Sequence, residues 1–409
     1  MTVLASLRPD APWLSAGALM AFGSSFGQTF FIAAFAGVWR EEFALSHGDW
    51  GAIYMAATLA SAVALTQAGR LADVWPARPL ALAVLFAFAL VAVGLSLVTA
   101  WWTLALLIFG LRFCGQGMLS HIAMTSMGKW FRAKRAGAIA IATLGFSLGE
   151  AILPAGAIAV IGLVGWRDAW LLIAGALLLV FAPLLAWLLR RERRPLAAAE
   201  APELSAGMDG RHWTRSEMVS ERTFWALVPG LIGPAWIGTV VFFQTVHLTE
   251  IKGWDLAAYA ALAFPAHSLA ATAGSFGFGW AADRFGVARL LPVYLLGWAA
   301  GAALMGLSGG LLAGVIALAV GGIGSGAVSV VHGAVTAELY GTRWLGGVKA
   351  LTYALAVLAS ALGPGLSGAL LDAGVGFEAQ CAGMAAYLLA VSLWFIPVSA
   401  RARLRLAGP

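Results

Sequence analysis

The sequence predicts an all-α membrane protein, with twelve transmembrane helices arranged as two pseudo-symmetric six-helix bundles. Three observations carry this reading. Of the 409 residues, 61% are hydrophobic and only 11% charged, against about 25% charged in soluble domains. Apolar segments long enough to cross roughly 30 Å of hydrocarbon recur from one end of the chain to the other. The chain is also internally duplicated. Gly69-Arg70-Leu71-Ala72-Asp73 leading to Arg78 is echoed by Gly279-Trp280-Ala281-Ala282-Asp283-Arg284-Phe285-Gly286 leading to Arg289, each after the second apolar segment of its half. Many secondary transporters are built from such repeats, with a substrate site between them.

The apolar runs place spans at 13–38, 50–69, 80–100, 102–128, 136–161 and 168–189, then at 223–250, 257–280, 290–308, 311–337, 347–371 and 378–399. Residues 1–190 are the expected N-terminal bundle, 191–222 a linker and 223–409 the C-terminal bundle. The first run is longer than a signal-peptide core of about 7–15 residues and reads as a retained helix. Tryptophans at many boundaries, such as Trp13, Trp39, Trp101, Trp166, Trp225 and Trp254, fit an interfacial belt. In the linker, Arg190-Arg191-Glu192-Arg193-Arg194-Pro195 and the Ala/Pro/Glu stretch after it read as flexible chain. From Arg211 to Arg222 charge alternates with Trp213, Met218 and Val219, which suits a short surface helix or a solvated linker. The repeat continues inside the spans. Gly115-Gln116-Gly117 matches Gly324-Ser325-Gly326, and Gly137 matches Gly346, as expected of close helix packing in lipid.

Charge gives the orientation. The net charge of +6 comes with basic residues that alternate with membrane spans, so it points away from nucleic acid. Of the 25 Lys and Arg, all but Arg40, Arg167, Lys252 and the intramembrane Arg112 fall on one side of the twelve-helix arrangement, from Arg8, Arg132, Lys134, Arg193 and Arg194 through to Arg405. Positive residues collect in cytoplasmic loops. Both termini are therefore expected in the cytoplasm, with the chain in the inner (plasma) membrane. The two cysteines, Cys114 and Cys381, lie in apolar segments and offer neither a disulfide framework nor a metal site. HExxH and Walker motifs are absent, so neither an enzyme nor an ATP-driven pump is expected, and no cofactor.

Two charged residues fall deep within spans, where an ionised group costs at least about 2.5–3.5 kcal/mol. Arg112 in the fourth and Glu150 in the fifth each lie about ten residues from the same membrane face, roughly 15 Å deep at about 1.5 Å per residue. Neighbouring antiparallel helices would let them pair, either as a functional element or as internal glue. Neither has a counterpart in the second half, where the matching positions fall near Gly321 and Ala359. Gln28, Ser61, His267 and Ser360 lie at similar depth, and Gln116 is one turn from Arg112 on the same face. Gln244 and His247 are candidates for an outer vestibule, while His121 and His332 sit nearer the basic side.

The repeated loop motif, together with Arg112 and Gly115-Gln116-Gly117, resembles the major facilitator superfamily over essentially the whole chain. That resemblance implies a gate on the basic side formed by Gly69, Asp73 and Arg78 in one copy and Gly279, Asp283, Arg284 and Arg289 in the other. Asp73 would face the start of helix eleven near Gly346, and Asp283 the start of helix five near Gly137. The first copy departs from the pattern at Val74 and Pro76. Glu150 stands where drug/proton antiporters have proline. Arg222-Thr223-Phe224-Trp225 and His247 look more like the monocarboxylate and oxalate/formate branch, although helix eight offers His267 where that branch commonly has arginine.

The expected function is alternating-access transport of a small organic anion. Arg112, Gln116, Gln28, His267, Ser360, Gln244 and His247 would bind it, and Glu150 with Arg112 would carry a coupling proton. A monomer is expected. The alternatives are efflux of a hydrophobic or cationic compound along Phe26, Phe30, Phe31 and Phe35, and a non-transporting solute sensor.

Overall fold

In hydrocarbon each backbone N–H and C=O must find its partner within its own segment, so helices dominate. The computed structural model describes residues 10–131, 135–191 and 204–407. The expectations placed on Arg8, Arg132, Lys134, Arg193, Arg194 and the first part of the linker lie outside the described residues, as does the side chain of Arg135.

Among the described residues, ten helices are long and apolar enough to cross a membrane, and the pair Ala11–Gly27 and Thr29–Glu42, bent by 44°, makes an eleventh if taken as one span. The first six spans are that bent pair, His47–Val74, Ala77–Ser96, Trp101–Trp130, Gly137–Val164 and Trp166–Leu188. The second six begin with Arg222–Phe243 and Leu256–Phe285, continue through the shorter Leu296–Leu307, and end with Leu311–Tyr340, Leu345–Asp372 and Phe377–Leu406.

The expected ninth span, 290–308, is not one helix. A short helix Val287–Leu290 gives way to turns before Leu296–Leu307 begins. Pro292 falls in that gap, where it supplies no N–H and its ring crowds the preceding turn. Two other spans are interrupted. The first breaks at Gln28, which is extended at φ −87°, ψ 157°. The seventh stops at Phe243 and restarts as Thr245–Lys252 after Gln244.

The chain forms two compact units, one of Met1–Leu45 with Ala52–Ala201, the other of Ser46–Gly51 with Pro202–Pro409. In the first, Phe35 packs on Trp170 at 4.7 Å, and Trp39 stacks on the same ring at 6.0 Å. In the second, Tyr294 donates to the Gly230 carbonyl at 2.8 Å and stacks on Phe395. Ser46–Gly51 belongs to this unit through hydrogen bonds. The Asp372 carboxylate accepts from Ser46 Oγ at 2.7 Å and from the Gly48 amide at 2.8 Å.

The end of the linker is docked rather than loose. Thr214 and Glu217 cap a short helix, Arg215–Ser220, reciprocally, and Met218 and Met208 are fully buried in the core of the second unit. Trp213 donates its backbone N–H to the Tyr340 carbonyl at 2.9 Å. Arg405, on the last helix, donates to Asp209 at 2.6 and 3.1 Å and to Glu221 at 2.8 Å, and faces the Trp213 ring at 5.4 Å. The Arg405 hydrogen bonds hold the Asp209 carboxyl below the usual aspartate range. Burial pushes Glu221 up, but hydrogen bonds from Thr223 and Arg405 outweigh it and leave the group lowered.

Both carboxyls therefore contribute stability above their ordinary values of 3.8 and 4.5, and lose it as the pH falls through the lowered ones. Arg405→Ala should speed limited proteolysis within residues 204–221 severalfold at pH 7. Acidification below about pH 4 should do the same to the unsubstituted protein. Unchanged cleavage in both cases would show that the apolar contacts of Met208 and Met218 suffice alone.

Candidate functional site

The break at Gln28 is the centre of the first unit. A helix end leaves carbonyls without intrahelical partners, and in an apolar interior each such group costs several kcal/mol. Arg112 meets one of them, its Nη1 donating to the Gly27 carbonyl at 3.0 Å. The guanidinium also lies 5.1 Å from the centre of the Tyr54 ring, and the Tyr54 hydroxyl shares a 2.6 Å hydrogen bond with Thr29. Tyr54 and Thr29 thus hold the far side of the break. Arg112 is 1% exposed and Tyr54 0%.

Local sequence makes this approach possible. A side chain on Gly115 would put its Cβ 2.7 Å from the Gly27 Cα, so the first and fourth spans touch backbone to backbone there. The fourth span widens into π-helical turns over Arg112–Leu119, a feature that often marks functional positions. On the fifth span, Gly149 sits against Ser25, with a Cβ built there 2.7 Å from the Ser25 Cβ. Glu150, the next residue, is 7% exposed. Arg112 thus reaches the 25–28 segment through Gly27, and the fifth span meets it at Gly149, next in sequence to Glu150. Gln28 is buried at the break itself, and Ser61 is buried in the second span. Gln116 is half-buried within the π-helical turns.

Phe26, Phe30, Phe31 and Phe35 of the first span are used in packing. Phe26 meets Phe181 at 5.8 Å, Phe30 meets Phe146 at 5.6 Å, and Phe31 and Phe35 pack on Trp170. All four are at least 94% buried, so they form no open aromatic wall within this unit.

In the second unit, His267 shares a 3.1 Å hydrogen bond with Ser325 and is met edge-on by Phe242 at 5.0 Å. Ser360 shares one of 2.7 Å with Thr239. Gln244, at the break in the seventh span, donates to Ser367, which donates in turn to Gln380. This chain ties three helices together and gives Gln244 a structural role. His247 lies 4.3 Å from His47 and 6.4 Å from Phe377, ring to ring. Ser325 and Thr239 were missed in the sequence, where a small hydroxyl in an apolar run reads as packing.

The two loop motifs are built with opposite polarity. In the first, the Lys129 ammonium lies 2.8 Å from Asp73 and donates to the Ala72 carbonyl at 2.8 Å. Gly69 packs beside His121, whose Nε2 lies 3.2 Å from the Gly69 carbonyl, and Arg78 is exposed. In the second, the Glu338 carboxylate accepts from the backbone amides of Val287 and Ala288 at 2.7 and 2.9 Å. Gly286 enters that turn at φ +81°, a conformation that favours glycine. Asp283, Arg284 and Arg289 are exposed, and Gly279 has open space where a Cβ would stand. Lys129 and Glu338 were not singled out in advance, yet each lies twelve residues after the matched Gly117 or Gly326.

The repeat, the broken span and the buried cation define a membrane transport protein. The Major Facilitator Superfamily matches residues 17–266, and the chain belongs to that family; it is a transporter and not an enzyme. It is similar in fold to a bacterial homolog of the human lysosomal transporter Spinster, in an inward-facing and unoccupied conformation. The identity there is 16%, with 97% of this chain and 96% of that one covered and a TM-score of 0.69. It is likewise similar to the nucleoside transporter NupG, at 15% identity, 94% and 98% coverage and a TM-score of 0.70. No curated protein sequence matches the chain.

Gly115→Ala should force the first and fourth spans apart and cost about 1–3 kcal/mol, seen as a lower Tm in detergent. Gly156→Ala and Gly162→Ala, on the fifth span, add a methyl with nothing within 4 Å. They should leave Tm unchanged or slightly raised, because alanine is the better helix former by about 1 kcal/mol. Equal effects at all three positions would contradict the close approach.

Proposed function

We propose that the chain is a secondary active transporter that moves a small, monocarboxylate-like organic anion by alternating access, with a proton as the coupling ion. The observation that carries this reading is the buried Arg112 guanidinium at the break in the first span. Interrupted helices present unpaired backbone groups to substrate near the bilayer centre, and a fixed cation beside one selects for negative charge. Gln28 and Gln116 add amides near it. In the second half, His267 and Ser360, with their partners Ser325 and Thr239, are the substrate-binding candidates.

Glu150 abuts the same segment and serves in this reading as the proton carrier. An arriving carboxylate takes its place beside Arg112, and Glu150 accepts a proton, so no unpaired charge crosses the hydrocarbon. Avoiding that charge spares at least about 2.5–3.5 kcal/mol. Residues 1–190 and 223–409 are the moving bodies. Gly69, Asp73, Arg78, Gly279, Asp283, Arg284 and Arg289 form the gate on the basic side. The asymmetry of positive charge supports cytoplasmic termini in an inner (plasma) membrane, with the monomer as the working unit. The packed phenylalanines of the first span weigh against hydrophobic or cationic efflux.

The test is counterflow and pH-gradient-driven uptake of monocarboxylates in proteoliposomes. Arg112→Lys should lower anion uptake at least tenfold, because a point charge does not reproduce the guanidinium fork. Glu150→Gln should abolish gradient-driven accumulation while exchange stays measurable. Tight binding without flux would identify a sensor instead, and transport of cations alone would sink the anion assignment. Gradient-driven accumulation that survives Glu150→Gln would move the proton to another group, with His267 next in line.

A further inference from the structure

The first unit carries a cavity of about 520 Å³ on its basic side, where the loop after the second span meets the ends of the fourth and sixth. That is many times the roughly 30 Å³ share of a water molecule. Arg78, Lys129, Arg190 and Arg191 line it, and the single carboxylate among its described lining residues, Asp73, is paired with Lys129. The rim is apolar and aromatic, with Val74 and Trp75 75% and 52% exposed. The Ala77–Ser96 helix also begins in this cavity, after Pro76, with no side-chain cap.

The second half shows what that helix start takes when it is filled. There the corresponding turn ends in Gly286, and the amides of Val287 and Ala288 are bound by the Glu338 carboxylate. At the matching repeat position the first half has Lys129, a cation. Where one half supplies its own anion, the other has replaced it with positive charge and open volume.

We propose that this cavity binds the phosphate of an anionic phospholipid headgroup from the leaflet on the basic side. The phosphate would accept from Arg78, Arg190 and Arg191 and from the first amides of the Ala77–Ser96 helix, filling the position that Glu338 fills in the second half. Basic pockets between helices bind acidic headgroups in this way, and guanidinium forks match phosphate oxygens. The exposed Val74 and Trp75 favour a lipid over a soluble phosphate, because they would lie along the glycerol and upper acyl chains. This site shares Asp73 and Arg78 with the proposed gate and does not depend on the substrate assigned to the chain.

Native mass spectrometry of the purified, delipidated protein tests this, with dioleoylphosphatidylglycerol, dioleoylphosphatidylcholine and glycerol 1-phosphate as probes. Phosphatidylglycerol should bind at least tenfold tighter than phosphatidylcholine. Arg190→Gln/Arg191→Gln should weaken it about 25-fold, roughly fivefold for each charge removed. Asp73→Asn should tighten it. The gain in that variant distinguishes a binding role from mere loss of fold. Equal phosphatidylglycerol affinity in the double variant and the unsubstituted protein overturns the site. Glycerol 1-phosphate binding as tightly as the lipid overturns the lipid assignment in favour of a soluble phosphate.

Discussion

The contact between Arg112 and the Gly27 carbonyl organises the first half of the molecule. A buried guanidinium and an interrupted membrane helix are each costly alone, because one is a charge in hydrocarbon and the other leaves backbone carbonyls unbonded. Placed together at 3.0 Å they offset one another. A hydrogen bond from a charged donor contributes about 1.5–3 kcal/mol, and a desolvated cation over an aromatic ring about 2 kcal/mol. The Tyr54 ring and its link to Thr29 supply the second term. Because Gly27 and Gly115 carry no side chains, the fourth span comes near enough for Arg112 to reach. Thus one pair of glycines, one arginine and one tyrosine keep the break open and ordered.

The two halves share a backbone plan but differ in where they place charge. Among the described residues, a buried arginine and a buried glutamate occur in the first. The second uses hydrogen-bonded pairs, His267 with Ser325 and Thr239 with Ser360. The loop motifs diverge in the same manner: Lys129 grips a carbonyl and a carboxylate, while Glu338 at the matching place grips two amides. Duplication conserves helix packing, which depends on small residues and shape.

Most of the spans were legible as apolar runs, since length and hydropathy are what a bilayer demands. The interruptions were not. Gln28 reads as one polar residue in a continuous apolar run, and only its flanking Gly27 and Thr29 hint at a break. Pro292 was a visible signal for the shortened ninth span, and it was outweighed by the hydropathy around it. Arg112 and Glu150 stood out because charge is rare in hydrocarbon. Tyr54 and Thr29, which complete the Arg112 site, are ordinary in apolar helices and gain meaning only through a contact between distant spans. The end of the linker was legible in part. Its alternating charge suited a short surface helix or a solvated linker, but did not show that Asp209 and Glu221 bind Arg405, which lies nearly two hundred residues further along. Such pairings are set by tertiary structure and leave no local pattern.

Hydrogen–deuterium exchange across residues 25–32 tests the central claim most directly, namely that Arg112 holds the break in an ordered state. The protein should protect these amides in detergent, and Arg112→Gln should raise their exchange at least tenfold. Exchange at the break in the seventh span, around Gln244, should stay the same, since it rests on Ser367 and Gln380. Protection of 25–32 that survives the substitution would contradict the account.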